Sequence, residues 1–278
     1  MGIVNLNDDS FSGDGAGCLE IGLLQAESAI RAGSDIVDVG AETARTNREA
    51  ISIETEVERF IPFLRAWPNL LDRLTPQAPF VSGQIWPPLL SLNTWRPEVI
   101  AFLLEEGGDI LNDIGALQDD QNARLCAKHD VALVIMHCIG KPKVPHTHIN
   151  YEDIIGSVER FFADKVAMVK AAGLPMESII LDPGIDFAKQ EHDNLLLSGS
   201  ITKLLHFGRP ILFPVSRKTV IGSVLDIPNP SNRDAGTIGL LTMTLLGGAK
   251  IFRVHNVTAA TSAIILLNSI IRNEDHGH

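Results

Sequence analysis

Ser216, Arg217 and Lys218 follow an apolar run, Ile211–Val215, and precede a helix-like stretch that opens at Thr219. A hydroxyl and two cations at the end of a buried strand require an anionic or electron-rich partner, or open water. On that segment alone both readings stand. Other strand-like runs also end in polar side chains: Asn5, then Glu42 and Arg45, Asn93, Asn112 and Asp113, His137, Asp182, and Arg253 and His255. One carboxylate, several amides, a lysine and an arginine suit a flat polar heterocycle. The carboxylate can accept two parallel N–H bonds, and the amides can read ring nitrogens. The lysine can hold a carbonyl oxygen, and the guanidinium can stack on a ring face. Paired cations and a histidine near the last two strands also suit a phosphate.

Each residue has a plainer alternative. Asp182, in Leu-Asp-Pro-Gly, could cap a turn. Asn112, before Asp113, could do the same. His137 follows five apolar residues and could be a satisfied core histidine, and Arg253 could pair with a rim carboxylate. His146 and His148 form an H-x-H, but no third ligand has matching spacing for a metal.

Strand-like runs alternate with helix-like runs throughout. The strand candidates are Gly2–Asn5, Asp35–Val39, Leu89–Asn93, Asp109–Asn112, Ala132–His137, Ser178–Asp182, Pro210–Val215 and Lys250–His255. Their aliphatic character suits strands buried on both faces. Ser52 is placed to cap a helix carrying Ile53, Val57, Phe60, Ile61 and Leu64, with a kink expected at Pro62. A second helix spans Asp153–Ala172 and ends at Gly173. Eight such units predict an α/β fold, a (β/α)8 TIM barrel forming a single domain over residues 1–278. The alternative is an open doubly wound sheet, against which the missing GxGxxG counts. Two loop-like stretches, Asn7–Gly17 and Ala41–Ile51, follow the first two strands and fall on the face where barrel sites are built. The five prolines of Pro68–Pro88 fall on the opposite face and read as a structural detour.

The chain has 278 residues, 45% of them hydrophobic, and a net charge of −11, which argues against nucleic-acid binding. Three widely spaced cysteines, Cys18, Cys126 and Cys138, indicate a reducing compartment. Met1 runs almost directly into a strand, so no signal peptide is expected, and no run reads as a membrane span. A soluble cytoplasmic protein is expected. Thr237–Leu246 and Ala259–Ile271 are apolar nearly all round. That predicts a symmetric homodimer through the last two or three helices.

These blocks resemble dihydropteroate synthase, of the pterin-binding superfamily, over nearly the whole chain. The resemblance rests on Met1-Gly-Ile-Val-Asn-Leu-Asn-Asp-Asp-Ser-Phe-Ser12, Asp35-Ile-Val-Asp-Val-Gly-Ala-Glu-Thr-Ala-Arg45 and Leu111-Asn-Asp-Ile114. It continues in Met136-His137, Leu181-Asp-Pro-Gly184, Val215-Ser-Arg-Lys-Thr-Val-Ile-Gly222 and Arg253-Val-His255. It implies a pterin pocket of Asn112, Asp182, Lys218 and Arg253, joined by Asn93. It implies a pyrophosphate site at Asn5, Arg253 and His255, with Asn5 beside a Mg²⁺. Ser216 and Lys218 would touch p-aminobenzoate under Phe11, and Arg217 would join the substrate-binding set. Lys218, Arg253, Arg45 and Asp14 are the residues expected to carry catalysis. The implied reaction is displacement of pyrophosphate from 6-hydroxymethyl-7,8-dihydropterin pyrophosphate by p-aminobenzoate, in folate biosynthesis.

The departures from the family pattern cluster. The third strand ends in Asn93 where the family has an aspartate. Loop two reads Thr43-Ala44-Arg45-Thr46 for Ser-Thr-Arg-Pro. Loop one has Asn7-Asp8-Asp9 for Thr-Pro-Asp, and its later carboxylate, Asp14, is absent or shifted by one place relative to the family. Strand eight ends in His255-Asn256 for His-Asp. Two alternatives therefore stand beside the synthase. One is a divergent pterin-binding paralogue with little or no synthesis. The other is a methyltransferase using a methylated tetrahydropterin and a corrinoid partner, although that group's seventh strand ends in asparagine.

Overall fold

The computed structural model describes residues 1–6, 15–43, 49–144 and 149–275. The strands are β1 (Gly2–Asn5), β2 (Ile36–Gly40), β3 (Leu89–Asn93), β4 (Ile110–Asp113), β5 (Ala132–Met136), β6 (Ile179–Asp182), β7 (Leu212–Phe213) and β8 (Ile251–Phe252). The first six form one parallel sheet in sequence order, and β7 pairs in parallel with β8. Single bridges, Leu181 to Ile211 and Gly2 to Val254, join β6 to β7 and β8 to β1. The ring closes as a (β/α)8 barrel, and the strands match the expected runs to within two or three residues at each end.

The helices are α1 (Gly15–Arg31), α2 (Ile53–Leu74), α3 (Pro97–Glu106), α4 (Gln121–His129), α5 (Ile154–Ala171), α6 (Glu191–Ser198), α7 (Thr219–Leu225), α8 (Asp234–Leu246) and α9 (Val257–Asp275). Side-chain caps set two of the expected starts. The Thr55 amide donates to Ser52 Oγ (3.1 Å), and the Gly156 amide donates to Asp153 Oδ1 (2.9 Å).

Two expectations need correction. The loop Asn7–Gly17 gives way to α1 already at Gly15, a start hidden by two glycines, which favour helix little. The detour Pro68–Pro88 begins as helix, because α2 continues through Pro62 and Pro68 to Leu74. An internal proline costs a helix about 3 kcal/mol. Burying each large apolar side chain returns about 1.5–3 kcal/mol. Trp67, Leu70 and Leu74 are all buried past Pro62, which is enough to hold the helix together.

Strand parity builds the site. Ile36, Ile110, Val134, Ile180 and Leu212 pack together as a plug inside the ring. Positions two residues further along the same faces carry polar groups: Asp38, Asn112 and Asp182. The strand register aligns Asn5, Gly40, Asn93 and Asn112 in one row. An apolar floor thus supports a polar layer at the C-terminal mouth. On the outside, Met243 and Leu246 of α8 and Ile265, Leu266, Ile270 and Ile271 of α9 are exposed. No helix among the described residues is long and apolar enough to cross a membrane.

Candidate active site

The polar layer is organised by Asp38 in the middle of β2. Its carboxylate is fully buried and accepts four hydrogen bonds. Oδ1 receives Ser91 Oγ (2.6 Å) and Asn112 Nδ2 (3.1 Å); Oδ2 receives Asn93 Nδ2 (3.0 Å) and Arg253 Nε (2.6 Å). Burial pushes this carboxyl up, but the Arg253 charge and the donors from Ser91, Asn93 and Arg253 outweigh it. They hold Asp38 below the usual carboxylate range. Sequence reading missed Asp38 because it scanned residues past strand ends. The available signal was a carboxylate two places after Ile36, on the inward face of an apolar strand.

Asp38 also orients the amides around it. With their NH₂ groups turned to Asp38, Asn93 and Asn112 have their oxygens left to accept. Asn112 Oδ1 is buried and has no partner among the described residues. A buried acceptor left open is costly unless a ligand or water supplies a donor. Asp113, beside it, takes the turn role instead, accepting from the Gly115 amide (2.7 Å) and Asn122 Nδ2 (2.9 Å).

Asp182 fills the turn role of its plainer reading. It caps its turn, accepting the Gly184 amide at 2.7 Å, and it lies buried at the end of β6. Burial raises its pKa to about 6, against the pull of the Gly184 amide, Lys218, Lys189 and Arg253. Lys218 Nζ donates to the Ile185 carbonyl (2.8 Å) and stands 5.0 Å over the Phe187 ring. Burial lowers its pKa, and the Asp186 and Asp182 carboxylates oppose the drop. Phe187 and Lys189 were not anticipated. Lys189 Nζ donates to the carbonyls of Gly184 (2.9 Å), Phe187 (3.0 Å) and His137 (3.2 Å), and stands 2.9 Å from His137 Nδ1. Burial lowers its pKa to about 7. His137 is the satisfied core histidine of the plainer reading, packed edge-on against Phe161 at 4.9 Å.

At the rim of β7 and β8, Ser216 Oγ accepts the His255 amide (3.1 Å) and stands 2.8 Å from His255 Nδ1. Burial of part of the ring, then the charges of Arg253 and Arg217, lowers His255 to about 4, although the residue keeps an exposed edge. Arg217, expected among the substrate-binding residues, grips Asp234 of α8 with its fork (2.7 and 3.1 Å), and Asp234 also accepts Asn256 Nδ2 (3.0 Å). Arg253 gives Nε to Asp38, and its terminal nitrogens bond no other described residue. Glu42 does not face the mouth alone. It pairs with Arg96 (2.6 Å) and accepts the Ile51 amide (3.2 Å), so it pins the two ends of loop two. Asn5 is exposed, and its amide side chain bonds no other described residue. Phe11, Asp14, Arg45, His146 and His148 lie outside the described residues.

A family described as pterin binding enzyme matches residues 1–255. A dihydropteroate synthase of Synechocystis sp. is 36% identical over 261 residues, 93% of this chain and 85% of that protein. One from Escherichia coli K12 is 31% identical over 277 residues, 99% of this chain and 93% of that protein. Among solved structures, a Clostridium difficile dihydropteroate synthase in the presence of pteroic acid is similar at a TM-score of 0.83. It is 31% identical and covers 97% of this chain and 95% of its own. A Xanthomonas albilineans dihydropteroate synthase with 4-aminobenzoic acid gives a TM-score of 0.84 at 29% identity, covering 97% and 92%.

The electrostatics make a ligand-free prediction. Because burial raises Asp182, it takes up a proton as pH falls through about 6, well above an ordinary carboxyl. Carboxyl-carbon NMR of wild type and Asp182→Asn should show one resonance titrating near pH 6 that the substitution removes. A lost resonance titrating near pH 4 would contradict the buried placement.

Proposed function

The chain belongs to the pterin-binding enzyme family, and from that premise we propose the reaction of its dihydropteroate synthase relatives. It is a transferase of folate biosynthesis. The amine nitrogen of p-aminobenzoate attacks the methylene carbon of 6-hydroxymethyl-7,8-dihydropterin pyrophosphate. The carbon–oxygen bond breaks, pyrophosphate leaves with the electron pair, and the new secondary amine loses one proton to solvent. The observation that carries this reading is the acceptor floor. Asn112 Oδ1 lies buried and open, beside the Asp38-held Asn93 and within the same mouth as Asp182.

The residues divide the work. Asp182, Asn112 and Asn93 accept N–H groups along one pterin edge, which fixes the ring without acid–base chemistry. Lys218 holds the ring carbonyl, and Phe187 supplies an apolar wall near its ammonium. Ser216 and Lys218 meet the arylamine. The outer nitrogens of Arg253 and the neutral imidazole of His255 receive the pyrophosphate as its charge grows. Arg45, Asp14 and Phe11 complete the set in the two loops. Arg217 supports the rim through Asp234.

Asn5 fits one ligand position of Mg²⁺. It is exposed at the end of β1, and it offers a hard amide oxygen not engaged by another described residue. Mg²⁺ keeps several waters and takes most other ligands from substrate phosphates, so one protein oxygen suffices. Bound there, it would neutralise pyrophosphate charge.

The protein is proposed to work in the cytoplasm, a reading supported by free thiols at Cys126 and Cys138. It is proposed to pair as a homodimer through α8 and α9, whose apolar side chains are exposed in the single chain. Light scattering should give twice the 30.2 kDa chain mass. A concentration-independent mass of one chain would contradict the pairing.

Activity is tested by mixing the protein with dihydropterin pyrophosphate and Mg²⁺, with and without p-aminobenzoate. The expected result is pyrophosphate release that depends on the arylamine, with dihydropteroate in equal amount. Pterin binding without release would favour the paralogue that only binds.

A further inference from the structure

The segment between β6 and α6 reaches across to the helix that follows Lys218. Within five residues, Gly184 (φ 69°), Asp186 (φ 68°) and Ala188 (φ 51°) adopt the left-handed region. Residues with a Cβ rarely take it, although aspartate tolerates it through local hydrogen bonds. The loop is packed tightly, since a Cβ on Gly184 would run into the His137 carbonyl oxygen. Lys189 ties Gly184 and Phe187 to His137 through the bonds already described.

The Asp186 carboxylate is then aimed at α7. Oδ2 accepts the Thr219 amide, and Oδ1 accepts the Val220 amide (3.3 Å). These are the first two amides of α7, and a helix start leaves such donors unpaired unless something caps them. The residue at the cap position is Lys218 itself, whose side chain makes no cap bond. The cap therefore comes from another loop. Asn194 of α6 fixes Asp186 in turn, accepting its backbone amide at 2.8 Å and donating to Oδ1 at 3.3 Å. The neighbour of Asp186, Ile185, supplies the carbonyl that Lys218 Nζ bonds at 2.8 Å. One short segment thus holds both ends of Lys218: its backbone through α7 and its ammonium through Ile185.

We propose that Asp186 is a positioning residue for Lys218, capping the helix that Lys218 opens and fixing the carbonyl its ammonium bonds. The proposal rests on the synthase reading only for which ligands Lys218 meets. Besides Asp186, the charged or titratable groups around the Lys218 ammonium are Asp182, Arg253, Lys189 and His255.

Two substitutions separate the roles of Asp186. Asp186→Gly accepts the left-handed backbone but removes the cap. Asp186→Asn keeps an oxygen that can cap and also tolerates that backbone, but loses the charge. Acetylation of Lys218 by acetic anhydride, followed by peptide mass spectrometry across pH, gives a limiting rate and a midpoint on the full protein without turnover. In Asp186→Gly the limiting rate should rise at least fivefold, and in an active enzyme KM for both substrates should rise at least fivefold while kcat moves less than twofold. In Asp186→Asn the limiting rate should stay within twofold of wild type while the midpoint falls, because a stabilising charge is gone. Acetylation profiles that superimpose for all three proteins would overturn the proposal. So would a released Lys218 with unchanged KM. A wild type without turnover defeats the synthase reading instead, and the acetylation comparison still decides the positioning role.

Discussion

A negative charge buried inside a barrel must be surrounded by donors, and Asp38 is that charge. Removing one partner of such a buried pair typically costs about 3–5 kcal/mol, because the remaining ion is left uncompensated. The geometry around Asp38 therefore constrains four strands at once. Ser91 and Asn93 come from β3, Asn112 from β4, and Arg253 follows β8. The bond to Arg253 spans β1 and reinforces the seam where β8 and β1 meet around the Gly2–Val254 bridge. The same bonds fix the amide faces, so that Asn112 is left with an open, buried acceptor.

Two carboxylates in one barrel are driven in opposite directions. Asp38, met by a guanidinium and three neutral donors, is held ionised. Asp182, with one amide on it and its cations at longer range, is raised to about 6 by burial. One anchors the architecture, and the other caps the turn after β6. This is the pattern in which environment assigns different tasks to like groups. The rim repeats the division among cations: Arg217 is committed to Asp234, whereas Lys218 is braced by a carbonyl and an aromatic ring.

Most of the barrel was legible in the sequence. Parallel strands buried on both faces leave unbroken aliphatic runs, and the polar residue after each run marks its end. That rule located Asn93, Asn112, Asp182, Lys218 and Arg253. It was blind to Asp38, which lies inside a strand and betrays itself only through the period-two pattern with Ile36. It was equally blind to Lys189, Phe187 and Asp186. Their importance comes from where the loop after β6 folds back, which depends on contacts distant in sequence. The helical extension past Pro68 went unread for a related reason, since the burial of Trp67, Leu70 and Leu74 is a tertiary effect that local proline preference does not reveal.

The proposed hold on a pterin ring depends on the acceptor floor that Asp38 arranges. The most direct test is calorimetric binding of 6-hydroxymethylpterin to wild type and to Asp38→Asn, with thermal melts confirming that the variant is folded. The dissociation constant should rise at least tenfold in the folded variant, about 1.4 kcal/mol or more. A folded Asp38→Asn protein that binds the pterin within twofold of wild type would contradict that dependence.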